Sequence, residues 1–206
     1  MRKHSRIDYY YRKAKVEGYR SRAAYKLKEI NEKFKVMKEG DIVIDLGAAP
    51  GGWIQVSREI VGEKGLIIGV DLNPMIKFPW DNVKTIQADV TNPEIIEKIK
   101  VMLPKGYADV VLSDLSPKVS GIWSVDHARQ IFLTEKALKI AIELLKEEGI
   151  CVLKVFQGHL LKEFINEVKR NFKEVRLFKP KASRKRSAEI YIIAKKKISQ
   201  HQKLPL

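Results

Sequence analysis

The chain has 206 residues and a formal net charge of +15 at pH 7. This length suits one hydrophobic core and excludes two ordinary domains, so we predict a single domain over residues 1–206. Within it we expect a basic N-terminal extension over residues 1–20 and a frayed tail over residues 198–206. The hydrophobic content of 45% is a globular value and excludes a disordered polymer despite the high charge.

Membrane and metal signals are weak in this sequence. The N-terminus carries no apolar signal segment, and nowhere do eighteen uncharged apolar residues run together. These features predict a cytoplasmic protein that does not enter a membrane. The single cysteine, Cys151, cannot close an intramolecular disulfide, and the four histidines are scattered, so we predict no metal site. We expect a monomer.

The positive charge is concentrated at the two ends of the chain. Residues 1–40 hold thirteen Lys and Arg against five Asp and Glu, and residues 162–206 hold fourteen against four. The centre, 41–161, has thirteen against sixteen and is mildly acidic. This distribution favours nucleic acid bound at the periphery of an enzyme core. The alternative is a Lys- and Glu-rich solvated surface, as in many heat-stable proteins.

Apolar runs alternate with helical segments along the chain, beginning with a helix over 21–34 for which Ser21 is a candidate N-cap. Strands are predicted at 42–45, 66–70, 83–87, 109–113, 150–156, 174–178 and 190–194. Further helices are predicted over 125–148, ended by Gly149, and over 159–171. The pattern predicts an α/β fold with a seven-stranded, mostly parallel sheet, helices on both faces and an antiparallel last strand.

The segment IVIDLGAAPGGW joins the first strand to the next helix and is rich in glycine. Gly47 and Gly51 would let the backbone approach a bound molecule where side chains would clash. A dinucleotide fingerprint would place a glycine where Ala49 stands, so this loop is poorly suited to a pyrophosphate.

An aspartate follows each of the first four strands: Asp45, Asp71, Asp89 and Asp114. Ligands of such sheets bind at the carboxyl ends of the strands. S-adenosylmethionine (SAM) presents a cation, an amino group and hydroxyls, and all of these attract carboxylates. Asp71 would accept from the ribose, Asp89 from the adenine amino group, and Asp45 and Asp114 would face the methionine portion, where they would repel a pyrophosphate. Asp71 would serve NAD equally well, so an NAD-dependent dehydrogenase is a distant alternative.

Five separated motifs carry a resemblance to a known family. They are GYRSRAAYKLKEI at 18–30, DLGAAPGGW at 45–53, SDLSP at 113–117, LKVFQG at 153–158 and SAEIY at 187–191. In this order they resemble the FtsJ/RrmJ (RlmE-type) family of ribosomal RNA 2′-O-ribose methyltransferases. The resemblance implies a Rossmann-like SAM-dependent methyltransferase fold, with SAM as cofactor and a uridine of large-subunit (23S) ribosomal RNA as the substrate. Relatives act on transfer RNA, which is the alternative substrate, and SDLSP departs from the SDMAP of many bacterial members.

The resemblance also implies site residues. It places Lys26, Asp114, Lys154 and Glu189 around the target hydroxyl, with Lys154 as the proton acceptor. It implies SAM contacts at Gly51, Trp53, Asp71, Asp89 and Asp114. Trp53 opens a helix and could equally pack in the core. The chemistry agrees with this set, because a ribose hydroxyl is a poor nucleophile whose proton must be taken or steered during attack on a sulfonium methyl. Lys154 would act either as a neutral base or as a cation that orients the hydroxyl.

Basic residues flank two of these motifs and suggest where RNA would bind. Arg20 and Arg22 precede Lys26, and three basic residues precede Glu189, namely Arg184, Lys185 and Arg186. Phosphates are the expected ligands of these side chains. A base methyltransferase is the nearest enzymatic alternative, but neither a cysteine nucleophile nor an exocyclic-nitrogen motif is recognised. A non-catalytic ribosome-assembly factor that only binds RNA would share the basic ends.

Overall fold

A computed structural model describes residues 9–184 and 186–199. Its centre is one sheet of seven strands in the order β3-β2-β1-β4-β5-β7-β6. The strands are β1 (Ile42–Leu46), β2 (Leu66–Asp71), β3 (Val83–Gln87), β4 (Ala108–Ser113), β5 (Leu145–Phe156), β6 (Phe172–Phe178) and β7 (Glu189–Lys197). Strands β1 to β5 pair in parallel, whereas β7 is antiparallel to both β5 and β6. The predicted mostly parallel sheet with an antiparallel last strand is confirmed.

Within the described residues, six helices accompany the sheet: α1 (Tyr9–Val16), α2 (Ala24–Phe34), α3 (Gly52–Val61), α4 (Ile95–Lys100), α5 (Trp123–Leu144) and α6 (Leu161–Lys169). Apolar side chains of α2 and α3 pack in one core layer, and those of α4, α5 and α6 pack in the other. The sheet is therefore covered on both faces, as predicted.

The central strands are apolar in consecutive positions because both of their faces are covered. In β1, Val43 and Ile44 are both fully buried, and they belong to opposite core layers. Burying one such side chain stabilises the fold by about 1.5–3 kcal/mol. The rigid centre of the sheet fixes the strand ends from which the aspartates project.

Two predicted helix boundaries are wrong by more than two residues. Helix α2 begins at Ala24 rather than at residue 21, and its N-cap is Ala23 without a side-chain hydrogen bond. Helix α5 ends at Leu144 rather than at 148, because Leu145 is extended and already pairs with Ala108 of β4. Sheet pairing thus overrides the helical pattern of the residues before Gly149.

Within the predicted N-terminal extension, residues 9–16 form helix α1, and residues 1–8 lie outside the described part of the chain. In α1, Ala14 is buried and, with Tyr10, packs against Tyr25 of α2 and Ala182 of the β6–β7 loop. Helix α1 therefore lies beside α2 and that loop. None of the helices described is long and apolar enough to cross a membrane. Within 9–184 and 186–199, no three His, Cys, Asp or Glu side chains lie close enough together to hold a metal ion.

Candidate active site

The four residues predicted to surround the target hydroxyl lie together as two buried ion pairs. The Nζ atom of Lys154 lies 3.3 Å from Oδ1 of Asp114 and donates a hydrogen bond of 2.7 Å to the Asp114 carbonyl oxygen. The Nζ atom of Lys26 lies 2.6 Å from Oε1 of Glu189. The four charges compensate one another, which is the condition under which charges tolerate burial.

Sheet register brings these residues together from distant parts of the chain. Strands β5 and β7 pair so that Lys154 lies opposite Tyr191 and Phe156 lies opposite Glu189. Directly opposed residues project to the same face of a sheet. Asp114 immediately follows β4, the other neighbour of β5, while Lys26 comes from α2 on that face.

Tyr191 is a member of this cluster that the sequence analysis did not identify. Its hydroxyl donates a hydrogen bond of 2.7 Å to Oδ1 of Asp114, the same oxygen that faces Lys154. Burial, followed by the charges of Asp114 and Glu189, raises the pKa of Tyr191 well above its usual value, so the phenol stays a donor. The signal was present in SAEIY, since a residue two positions after Glu189 must share its face.

Three further side chains hold the ion pairs in place. Ser183 donates from Oγ to Oε1 of Glu189 at 2.7 Å. From α5, Gln130 Nε2 and Thr134 Oγ1 each donate to the carbonyl oxygen of Lys154 at 3.1 Å. These contacts leave the cluster little freedom, because both the backbone of Lys154 and the carboxylate of Glu189 are tied.

A cavity of ≈ 220 Å³ borders the Lys26–Glu189 pair. Its lining includes Arg22 and Arg184, two of the predicted RNA contacts, together with Ser187. Burial and the neighbouring Arg184 lower the pKa of Arg22 from that of a free guanidinium. The cavity therefore combines an ion pair at its base with cations at its wall.

The other predicted RNA contacts are placed differently. Arg20 lies with its guanidinium 3.7 Å from the ring centroid of Phe78 and donates to the carbonyl oxygens of Ile76 and Lys77. Its donors thus hold the loop after β2, and an RNA contact of Arg20 stays a prediction. Arg186 is exposed, and Lys185 lies outside the described residues.

A second cleft of ≈ 230 Å³ opens at the carboxyl ends of β1 to β4. Its lining includes four of the predicted cofactor residues, Gly47, Asp71, Asp89 and Asp114. Gly47 has a φ of +79°, and a Cβ there would lie 2.9 Å from the backbone nitrogen of Leu115. The close passage of these two backbone segments therefore requires glycine.

Asp45 lies beneath this cleft and does not line it. Its side chain is fully buried, and neither carboxylate oxygen has a hydrogen-bond partner in the part of the chain that the structure describes. Burial, followed by the charges of Asp114 and Asp71, raises its pKa well above the usual value. A buried carboxyl without a donor is costly. Asp71 differs, because it accepts from the backbone nitrogens of Ala49 and Asn73.

The residues of this cleft fit the predicted cofactor. SAM carries positive charge and hydrogen-bond donors, and the cleft offers three carboxylates at its surface and the unpaired Asp45 below. Asp71, Asp89 and Asp114 would hold the cofactor, and Gly47 would let the loop backbone approach it. A polyphosphate would meet repulsion from the same groups.

Besides Asp45, two further predicted cofactor residues, Gly51 and Trp53, lie outside the cleft lining. Trp53 is buried, donates from Nε1 to the carbonyl oxygen of Ala23, and has its ring centroid 5.7 Å from that of Tyr191. Gly51 has a φ of +113°, and a Cβ there would lie 2.4 Å from Phe78. Packing alone explains why a tryptophan and a glycine stand at these two positions. Contacts of either residue with a cofactor stay predictions.

Comparisons with known proteins agree with this architecture. The profile of the FtsJ-like methyltransferase family matches residues 19–197. The ribosomal RNA large subunit methyltransferase E of Methanocaldococcus jannaschii is 53% identical over 191 residues, covering 92% of this chain and 78% of that protein. The enzyme of the same name from Methanothrix thermoacetophila is 54% identical over 192 residues, covering 93% of this chain and 73% of that protein.

A solved structure is also similar. A Plasmodium falciparum protein, provisionally described as a ribosomal RNA methyltransferase, superposes with a TM-score of 0.79 at 30% identity. The match covers 88% of this chain and 100% of the other. With a Rossmann-like sheet, an anionic cleft and a family profile that spans most of its length, this chain belongs to the FtsJ-like methyltransferase family.

Proposed function

We propose that this protein uses SAM to methylate the 2′-hydroxyl of a uridine in large-subunit ribosomal RNA. One observation carries the proposal: Asp114 lines the anionic cleft and also holds the buried amine of Lys154. Asp114 therefore places the cleft proposed for the methyl donor beside the amine proposed to act on the ribose hydroxyl. Both the uridine and the 2′-oxygen rest on the family resemblance of the five motifs.

Lys154 is the residue that handles the proton of the hydroxyl. Its amine is directed towards the carbonyl oxygen and Oδ1 of Asp114. A neutral amine held in this way keeps a lone pair that can take the hydroxyl proton, and an ammonium keeps a third N–H that can orient the hydroxyl oxygen. Asp114 orients the amine in either case, and Tyr191 fixes Asp114.

The methyl donor and the RNA would occupy the two neighbouring cavities. When bound, SAM supplies an electrophilic methyl group on a sulfonium. Asp71, Asp89 and Asp114 line the cleft and would bind and orient it. Lys26 and Glu189 would position the ribose at the base of the second cavity, and Arg22 and Arg184 would contact phosphates there.

The support for ribosomal RNA comes from the relatives, whose names refer to the large ribosomal subunit. The test uses methyl-labelled SAM with large subunits from cells that lack this protein, and with transfer RNA from the same cells. We expect label at one nucleotide of the large-subunit RNA and none in subunits from cells that have the protein. Label confined to transfer RNA would show that transfer RNA is the substrate instead of ribosomal RNA. No label in any RNA would refute the proposal.

A further inference from the structure

An aromatic stack stands at the carboxyl end of β5, and the reaction described above does not use it. Trp123, the first residue of α5, is a large hydrophobic residue with 51% of its surface exposed. Its ring lies nearly parallel to that of Phe156, with centroids 6.0 Å apart and an interplanar angle of 21°. His127 stacks with the same indole at 5.7 Å and 14°.

The turn before Trp123 is held by Asp126. Oδ1 of Asp126 accepts from the backbone nitrogen and the hydroxyl of Ser120, both at 2.7 Å, and Oδ2 accepts from the backbone nitrogen of Gly121. These hydrogen bonds, those from Ser120 foremost, lower the pKa of Asp126. The carboxylate therefore stays charged and fixes the position from which the indole projects.

The ring beneath Trp123 is uncharged near neutral pH. His127 is fully buried, and its Nε2 accepts a hydrogen bond of 3.2 Å from the backbone nitrogen of Leu160. Burial, followed by the charge of His159, lowers the pKa of His127 below its usual value. Trp123 thus stacks on a neutral, buried ring, and part of the indole remains open to solvent.

The stack lies next to the proposed catalytic cluster, which consists of Lys26, Asp114, Lys154, Glu189 and Tyr191. Phe156 is two residues beyond Lys154 on β5 and lies opposite Glu189. Helix α5, which carries Trp123 and His127, also contacts the backbone of Lys154. Exposed cations, Lys118 before α5 and Arg129 within it, are near in sequence. A nucleic-acid strand that places a ribose at Lys154 would pass this edge of the sheet.

We propose that Trp123, supported by Phe156 and His127, stacks an unpaired base of the substrate RNA, beside the nucleotide whose ribose is methylated. This inference rests on the proposed function. Unstacked RNA bases are commonly received by aromatic rings, and stacking tolerates any base because each has a π-face. Flanking cations suit a polyanion better than an apolar protein segment.

The test compares Trp123→Ala and Trp123→Phe with a matched control, Phe132→Ala. Phe132 is another exposed aromatic residue of α5, nine positions further along and so on the opposite side of the helix. The substrate is a ribosomal RNA fragment that contains the methylated nucleotide. Direct binding of the fragment is measured by anisotropy, and KM and kcat are measured for methyl transfer. Thermal unfolding and SAM binding show that each variant is folded.

We expect Trp123→Ala to raise Kd and KM about tenfold with little change in kcat, since losing one stacked base costs this much. Trp123→Phe should retain most of the affinity, and Phe132→Ala should match the wild type. A fragment made abasic at one position beside the target should bind the wild type about tenfold more weakly. With that fragment, Trp123→Ala should cause no additional loss.

Unchanged binding by Trp123→Ala would overturn the inference. So would a loss that is the same for every abasic fragment, or one seen only with assembled subunits, which would indicate a protein contact. Binding of the fragment does not depend on methyl transfer. If the wild type binds RNA but does not methylate ribose, the proposed function fails while stacking is still tested.

Discussion

The proposed catalytic cluster and the anionic cleft are neighbours that differ in charge balance, because the cluster is compensated and the cleft is negative. In the cluster, Lys154 is paired with Asp114 and Lys26 with Glu189, and Tyr191 and Ser183 donate to the two carboxylates. In the cleft, no salt bridge joins Asp71 or Asp89 to a cation among the described residues, and Asp45 has no hydrogen-bond donor there. The cluster is arranged before any ligand arrives, whereas the cleft carries a charge that a cationic ligand would complete.

Substitutions in the two sites should therefore have different effects on chemistry, binding and stability. A change in the cluster removes one partner of a compensated set. A change in the cleft alters an unbalanced set, so its effect depends on pH and on bound cofactor.

The largest effect is expected for Lys154→Ala. Removing the amine should lower kcat for methyl transfer by at least about 100-fold, because positioned proton transfer contributes this much or more. SAM should still bind, since Lys154 does not line the cleft. Lys139→Ala, an exposed lysine of α5, is the control and should behave as the wild type. Equal loss of SAM affinity and turnover would contradict the assignment of chemistry to the cluster and cofactor binding to the cleft.

The next effect is on stability. Glu189→Ala leaves the buried ammonium of Lys26 without its carboxylate, which should cost about 3 kcal/mol of unfolding free energy. The double variant Lys26→Met with Glu189→Ala should recover much of that loss, because no buried charge is left unpaired. Urea unfolding measures both. A cost below about 0.5 kcal/mol for the single variant, as for a surface pair, would contradict the description of this pair as buried.

Gly47→Ala should have a smaller effect that is concentrated in the cleft. The new methyl group meets the backbone of Leu115 and a positive φ, so we expect about 1–3 kcal/mol of destabilisation and weaker SAM binding. Gly106→Ala is the matched control, because Gly106 has a φ of +72° but open space around it. If both variants cost the same, the contact with Leu115 is not what requires glycine.

The smallest effect is a pH dependence that Asp45 gives to the protein without cofactor. The raised pKa of Asp45 means that the folded state favours its protonated form. Its stabilising contribution is therefore full below the unfolded pKa of about 4 and is lost as pH rises through the higher folded value. The free energy of unfolding is measured from pH 4 upwards for the wild type and for Asp45→Asn. As pH rises, the value for the wild type should decline relative to that of the variant. Parallel curves would show that Asp45 is not perturbed.

The sequence predicted the sheet and the cleft because both depend on local pattern. Continuous apolar runs mark strands with two covered faces, and parallel strands bring Asp71, Asp89 and Asp114 to one edge wherever the helices lie. The placement of Lys26 and Glu189 together was available only through the family motifs, since their contact joins α2 to β7.

Features that depend on register or packing were missed. The end of α5 at Leu144 follows from the pairing of Leu145 with Ala108, which no helical pattern reveals. The hydrogen bond from Tyr191 to Asp114 requires the β5–β7 register, and the stack of Trp123 with Phe156 requires the path of the loop before α5. Each joins residues more than thirty positions apart, beyond the range of local sequence pattern.

The position of the transferred methyl group within its nucleotide distinguishes ribose methylation from base methylation. A 2′-O-methyl group removes the hydroxyl that alkali needs to cleave the chain, so RNA labelled by the wild type should release its label in an alkali-resistant dinucleotide. Lys154→Ala should release almost none. Label recovered on the base of an ordinary mononucleotide would contradict the assignment of the Lys154 cluster to a ribose hydroxyl.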